Sequence, residues 1–240
     1  MWFLIAVQFF VIVLLFLIGW AIRNMKTYWM ISGFENRSKE EQQQLIQNGL
    51  PQKIGSLLMT TAVGMSVLLP LHFTSFKYAI EVQFGFMIVF LLGGLIYLSK
   101  YEIPKKRKRS YLINSLLFVV VIGFISATMF LGYQDHKLIP KNDSFEITGM
   151  YGDEWKYQDI QRVELMEEMP EVTWKQNGFG LSTMAKGHFT VKEYGSSLLF
   201  IHKNSSPYLY IELKNKKIFI NGHDSKQTRS WYEQFRKNIK

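Results

Sequence analysis

The sequence predicts an α-helical membrane domain of four transmembrane helices followed by a mainly-β domain that closes with a helix. Three observations predict it. Up to about Gly132 the chain is dominated by four long apolar runs. From Ser144 the periodicity changes to short alternating stretches broken by turn residues. After Asn221-Gly222 an amphipathic stretch with helical spacing closes the chain. A length of 240 residues allows one or two domains, and the change of composition argues for two, at 1–134 and 140–240.

The first run, Trp2 to Ile22, has Gln8 as its strongly polar member. A helix needs about 20 apolar residues to cross a hydrocarbon core of ~30 Å. A cleaved signal peptide would start with charge, have a shorter apolar core and end at a small-residue site. The run has no charge before it, is long, and offers only Gly19-Trp20-Ala21, so a retained span is expected. Ile54 to Phe73, Tyr78 to Ser99 and Leu112 to Leu131 are the other three spans. The second and third are joined only by Thr74 to Lys77, which makes them a tight hairpin, and Pro70 falls where the second can end or kink. In lipid every backbone polar group must be paired internally, so such runs are helices.

Orientation follows from the cations of the short loops. Loop 23–53 carries Arg23, Lys26, Arg37, Lys39 and Lys53; loop 100–111 carries Lys100 and the run Lys105-Lys106-Arg107-Lys108-Arg109. Lys77 alone stands on the other side. Both basic loops are therefore expected in the cytoplasm, with the N-terminus and the C-terminal domain outside. The five-residue basic run is assigned to topology and to anionic membrane lipid, each cation near the surface contributing ~1 kcal/mol.

Ser56, Thr60 and Gly64 recur every four residues and are expected to pack helices closely, with Gly93-Gly94 and Gly123 with Ala127 as further small surfaces. No Asp, Glu, Lys or Arg lies in the middle of a span, whereas proton relays and ion pathways need ionisable groups at that depth, which argues against a pump.

The chain has a formal charge of +9. The segment from Tyr133 carries 16 cations and 14 acids, so no basic domain stands out and nucleic acid is not an expected partner. There is no cysteine, which excludes disulfides, thiolate metal sites and cysteine nucleophiles.

In the first loop, Gly33 and Asn36 are turn residues, and Ser38 with Glu41 has capping-box spacing for a short helix through Ile46. Tyr28 and Trp29 suit a membrane interface. Ile31, Ser32, Gly33, Phe34, Asn36, Ser38, Glu40 and Glu41 resemble the loop of a family of small Gram-positive membrane proteins of unknown function, which have a span, this turn and helix start, then a pair of spans. Phe34 and Glu35 stand where that family usually has Tyr-Asn. The resemblance covers about the first hundred residues; it implies a bacterial plasma-membrane location and no activity.

In the C-terminal domain, strands are expected at Phe145–Gly149, at Trp155–Glu167 (one or a pair), at Val172–Trp174, Phe189–Tyr194, Leu198–His202, Tyr208–Leu213 and Lys217–Ile220, with turns at Asn177-Gly178, Gly180, Asn204–Pro207, Asn215-Lys216 and Asn221-Gly222. Asp224 or Ser225 caps a helix to Asn238 with Trp231, Phe235 and Ile239 on one face. About seven strands and one helix resemble a pleckstrin-homology-type (PH-like) barrel, in which the helix plugs one open end; Trp231 and Phe235 would be the plug. Tyr157–Ile160, Arg162–Leu165 and Asn221–Ser225 resemble the bacterial PH-like domains found on small membrane proteins. The resemblance implies a binding or scaffolding module. Some membrane proteins with such domains act in bacteriocin immunity or envelope stress.

No HExxH, Gly-x-Ser-x-Gly, Walker or dinucleotide motif occurs. His223-Asp224 reads as a local turn. Glu164, Glu167, Glu168 and Glu171 read as an acidic strand-edge surface, and Lys175, Lys186, His188 and Lys192 as a solvated basic edge. The expectation is a non-enzymatic protein with no catalytic residue, no cofactor and no metal. It would display a binding domain outside the membrane to lipid and to a protein or peptide partner. A bacteriocin-immunity or envelope-stress role and an accessory subunit of a transporter are the alternatives.

Overall fold

The computed structural model describes residues 2–239, with side chains from Leu4. Lys240, the last residue of the expected β domain, lies outside them. The chain divides into two compact units, one up to Ile125 and one from Ser126.

Among the described residues, four helices are long and apolar enough to cross a membrane. They are α1 (Trp2–Asn24), α3 (Leu50–Leu68, extended by a 3-10 turn to Phe73), α4 (Ala79–Leu98) and α5 (Pro104–Tyr133). Between the first two lies a short helix, α2 (Lys39–Gln47). The change to 3-10 geometry falls at Leu69-Pro70, where proline has no N–H to give the α-helical ladder. The closest backbone approach joins α1 to α3. A Cβ at Gly19 would meet the Gly55 carbonyl oxygen at 2.7 Å, and one at Gly55 would meet that of Gly19 at 2.6 Å. Ile12, Ala62 and Met65 continue this interface.

The second unit holds nine described strands. β1 (Leu138–Pro140), β2 (Ser144–Ile147) and β3 (Glu154–Lys156) form an antiparallel three-stranded sheet. β4 (Ile160–Met166), β5 (Val172–Gly180), β6 (Met184–Val191), β7 (Gly195–His202), β8 (Tyr208–Leu213) and β9 (Lys216–Ile220) form a six-stranded sheet in the order β4-β8-β9-β7-β6-β5. Its neighbours are antiparallel except β7 and β9, which run parallel with Phe200 opposite Ile220. The sheet is buried on both faces. Leu198, Phe200, Leu209, Ile211, Ile218 and Ile220 pack on one side, and Leu199, Ile201, Tyr208, Tyr210 and Phe219 on the other. The central strands therefore read as nearly continuous apolar runs.

Helix α6 (Ser225–Asn238) starts at Asp224, whose Oδ1 accepts from Gln227 N at 2.8 Å. Trp231 and Phe235 are buried in the first of those faces. Phe235 meets Phe145 and Tyr157 edge-on, with ring centroids 4.8 and 5.5 Å apart. Ile239 lies beyond the helix and is exposed, so it is not part of that buried face.

Trp155–Glu167 is the pair of strands rather than a single one, separated by a 3-10 turn at Tyr157–Asp159. Two readings are corrected. Asn177-Gly178 and Gly180 are not turns but lie inside β5, whose register shifts beside Asn177. A Cβ on Gly178 would meet the Lys186 carbonyl oxygen at 2.3 Å, and Gly187 opposite has φ +114°. These glycines serve close approach between strands. Lys186 is buried in β6, not on a solvated edge.

Candidate functional site

Two polar constellations stand out, one in each unit. In the helical unit, the two basic loops are clasped together. Gly33 (φ +74°) turns the chain so that Phe34 enters a small apolar cluster with Leu45 and Ile103. Ser38 caps α2, its Oγ accepting from Glu41 N at 3.3 Å. The Glu41 carboxylate, free of any reciprocal capping role, reaches Lys106 Nζ at 2.7 Å and Arg37 at 3.6 Å. Arg37 also donates to both oxygens of the buried Glu102, at 3.3 and 2.9 Å. Asn48 Nδ2 donates to the Tyr101 carbonyl at 3.0 Å, and Asn36 lies in the turn leading to Ser38. The basic run is thus partly structural: Lys106 pairs with Glu41 and Arg107 donates to the Glu102 carbonyl, while Lys105, Lys108 and Arg109 are exposed. The Lys106 hydrogen bond, aided by the charges of Lys106 and Arg37, holds the Glu41 carboxyl below the ordinary glutamate range.

The small-residue stripe divides. Ser56 Oγ accepts from Arg23 at 3.0 Å. Thr60 is exposed and bonds back to its own helix, at Ser56 O and Leu57 O. Gly64 lies against the Phe86 ring, and Gly94 against Leu57; Gly93 and Gly123 have open space where a Cβ would go. The close backbone-to-backbone approach, Gly19 to Gly55, lies outside the stripe. Its sequence signal was a glycine in each of two consecutive apolar runs.

In the second unit, β7 and β9 run parallel, so their C-terminal ends emerge side by side. His202 ends β7; Asn221, Gly222 and His223 follow β9. Asp135, two residues beyond α5, meets both histidines: His202 Nε2 lies 3.2 Å from its Oδ1 and His223 Nε2 lies 2.5 Å from its Oδ2. The two imidazoles lie with centroids 4.1 Å apart, tilted by 35°, and His136 stacks on His202 at 4.7 Å. Buried Asn221 sets the frame. Its Oδ1 accepts from His202 N at 2.7 Å, its Nδ2 donates to the His202 and Ser205 carbonyls, and its own carbonyl accepts from His136 Nε2 at 3.0 Å. His136 Nδ1 is buried with no hydrogen-bond partner among the described residues.

Burial pushes the His136 imidazole down to about 4. It also lowers His202, helped by the charge of His223. Burial would raise Asp135, but the His223 hydrogen bond and the surrounding imidazoles hold its carboxyl below the usual range. His223 is not confined to a local turn with Asp224, because its ring bonds to a residue far away in sequence. No sequence motif marks this cluster, since its members come from three separated segments.

The acidic surface is dispersed: Arg162 pairs with Glu164, Arg229 with Glu167, and Lys192 with Glu171.

Comparison with known families gives two adjacent matches. Residues 9–102 match a domain of unknown function (DUF3784), and residues 137–234 match a bacterial PH domain. No curated protein and no solved structure matches the chain. The chain is a multi-pass membrane-type protein whose helical part is similar to DUF3784 and whose β domain is similar to the bacterial PH domain.

Proposed function

We propose that this is a non-enzymatic protein of the bacterial plasma membrane, whose PH-like domain is displayed outside the membrane and binds a protein or peptide there. The observation that carries the orientation is the clasp. Arg37–Glu102, Lys106–Glu41 and Asn48–Tyr101 gather the two basic loops at one end of the helical unit. Short basic loops stay in the cytoplasm, and four spans return the chain after α5 to the side of its N-terminus. Binding is supported by the exposed edge of the large sheet. Strand β5 pairs with β6 alone among the described strands, and it carries Trp174, 71% exposed. An unpaired strand edge and an exposed aromatic ring are both suited to an extended peptide.

A photoreactive amino acid in place of Trp174 tests this in intact cells. The expected result is a discrete protein adduct that is missing when the same probe replaces Asn215, in the opposite turn. Equal adduct patterns at both positions, or none at either, would remove the binding role of this edge.

A further inference from the structure

We propose that Asp135, His202 and His223 form a binding site for a divalent transition-metal ion of the zinc class. The site is independent of the orientation argued above, because every group in it lies in the unit from Ser126 onward. The donor atoms of the three side chains lie within 4.8 Å of one another. Two imidazole nitrogens and one carboxylate oxygen are a common zinc ligand set with a fourth position open to water or a partner. Imidazole favours zinc, copper, nickel and related ions over magnesium and calcium, which prefer all-oxygen shells.

Three features make this more than a surface cluster. Both histidines present the same nitrogen, Nε2, to the same carboxylate, one to each oxygen. An ion would take the two Nε2 lone pairs, each ring carrying its proton on Nδ1 instead, and one Asp135 oxygen. With zinc–nitrogen distances of about 2.0–2.1 Å, drawing the three donors around one ion is a small rotamer adjustment. Second, the position of His202 is fixed from behind: Asn221 holds its backbone on both sides, and His136 stacks on its ring. Metal sites depend on such outer partners to orient the ligands. Third, His136, whose ring stacks on that of His202, donates through Nε2 to the Asn221 carbonyl, which leaves Nδ1 as a buried bare lone pair. A nitrogen in that state is unsatisfied by protein alone, and it has the tautomer a metal ligand uses.

One neighbour opposes a cation. Lys186 is buried close enough for its charge to act on His202 and Asp135, and burial lowers its own pKa. It tempers the site's affinity without supplying a competing ligand.

The test uses the full-length protein in detergent, stripped with chelator and titrated with zinc alone by calorimetry, with cobalt(II) absorption as a second readout. The expected result is one zinc per chain at micromolar concentration or tighter, and a cobalt spectrum of low-symmetry nitrogen and oxygen coordination. His223→Ala is the decisive variant, because its side chain is mostly exposed and its removal leaves the core untouched. It should weaken zinc binding at least tenfold, as should Asp135→Asn, while His188→Ala, outside the cluster, changes nothing. Absence of saturable binding by the native chain overturns the proposal. So does binding that survives His223→Ala and Asp135→Asn unchanged.

Discussion

The two units are held together in opposite ways. In the unit from Ser126 onward, side chains fill both faces of a sheet, and Phe145, Tyr157 and Phe235 form an aromatic knot under the last helix. In the helical unit, the spans bury little of their apolar surface in each other, and α5 buries least. Its Leu112, Leu116, Val119, Val120 and Phe124 all face outward. The difference follows from the solvent. Water drives apolar side chains inward, whereas lipid leaves them no such drive, so helices meet where backbones can approach and where polar groups need partners. The β domain therefore depends on packed volume, and the helical unit on close approaches at glycines such as Gly19, Gly55 and Gly64 and on a polar clasp.

Substitutions should separate these two modes. The largest effect belongs to Phe235→Ala, which empties a fully buried aromatic site. It should cost about 3–5 kcal/mol, read as lost hydrogen-exchange protection across β2, β8 and α6 with the spans unchanged. Next comes Gly55→Val. The added atoms meet the Gly19 carbonyl and the Arg23 backbone, and overpacking of this kind costs about 1–3 kcal/mol. Exchange should rise in α1 and α3 only. Glu102→Gln removes the charge that Arg37 grips through two hydrogen bonds and should cost about 1–3 kcal/mol, loosening 33–48 and 99–107 together. Loss of protection in one loop alone would break the claim that they form one clasp.

The smallest effect is a pH dependence. Glu41 has its carboxyl lowered by Lys106. In the unfolded chain the group takes up a proton at higher pH than in the folded one. Its stabilising contribution is therefore complete above about 4.5 and disappears as pH falls through the lower folded value. Exchange in α2 should quicken over that acidic range, and Glu41→Gln should make it insensitive there.

Much of this was legible in the sequence where a local rule governs it. The spans follow from run length, the α2 cap from Ser38 and Glu41, and the last helix from Asp224 and the spacing of Trp231 and Phe235. What escaped depends on tertiary pairing. Asn177-Gly178 has turn chemistry, yet Gly187 across the sheet claims it for a strand. Lys186 reads as a surface cation, but β6 is flanked on both sides, by β5 and β7, and the side chain is buried. Gly19 and Gly55 lie 36 positions apart, so no short-range repeat connects them. Asp135, His202 and His223 meet only because β7 and β9 run parallel, and strand direction is not written in either strand's own residues.

The most direct test of the central claim is the side of the membrane on which the PH-like domain stands. Asn215, exposed in the β8–β9 turn, is the position for a single cysteine in this cysteine-free chain; the Ser205 hydroxyl is engaged with the Gly222 and His223 carbonyls. With Asn215→Cys and a membrane-impermeant maleimide, the account predicts labelling in intact cells at the level seen after lysis. Labelling that appears only after lysis would contradict it and place the domain in the cytoplasm.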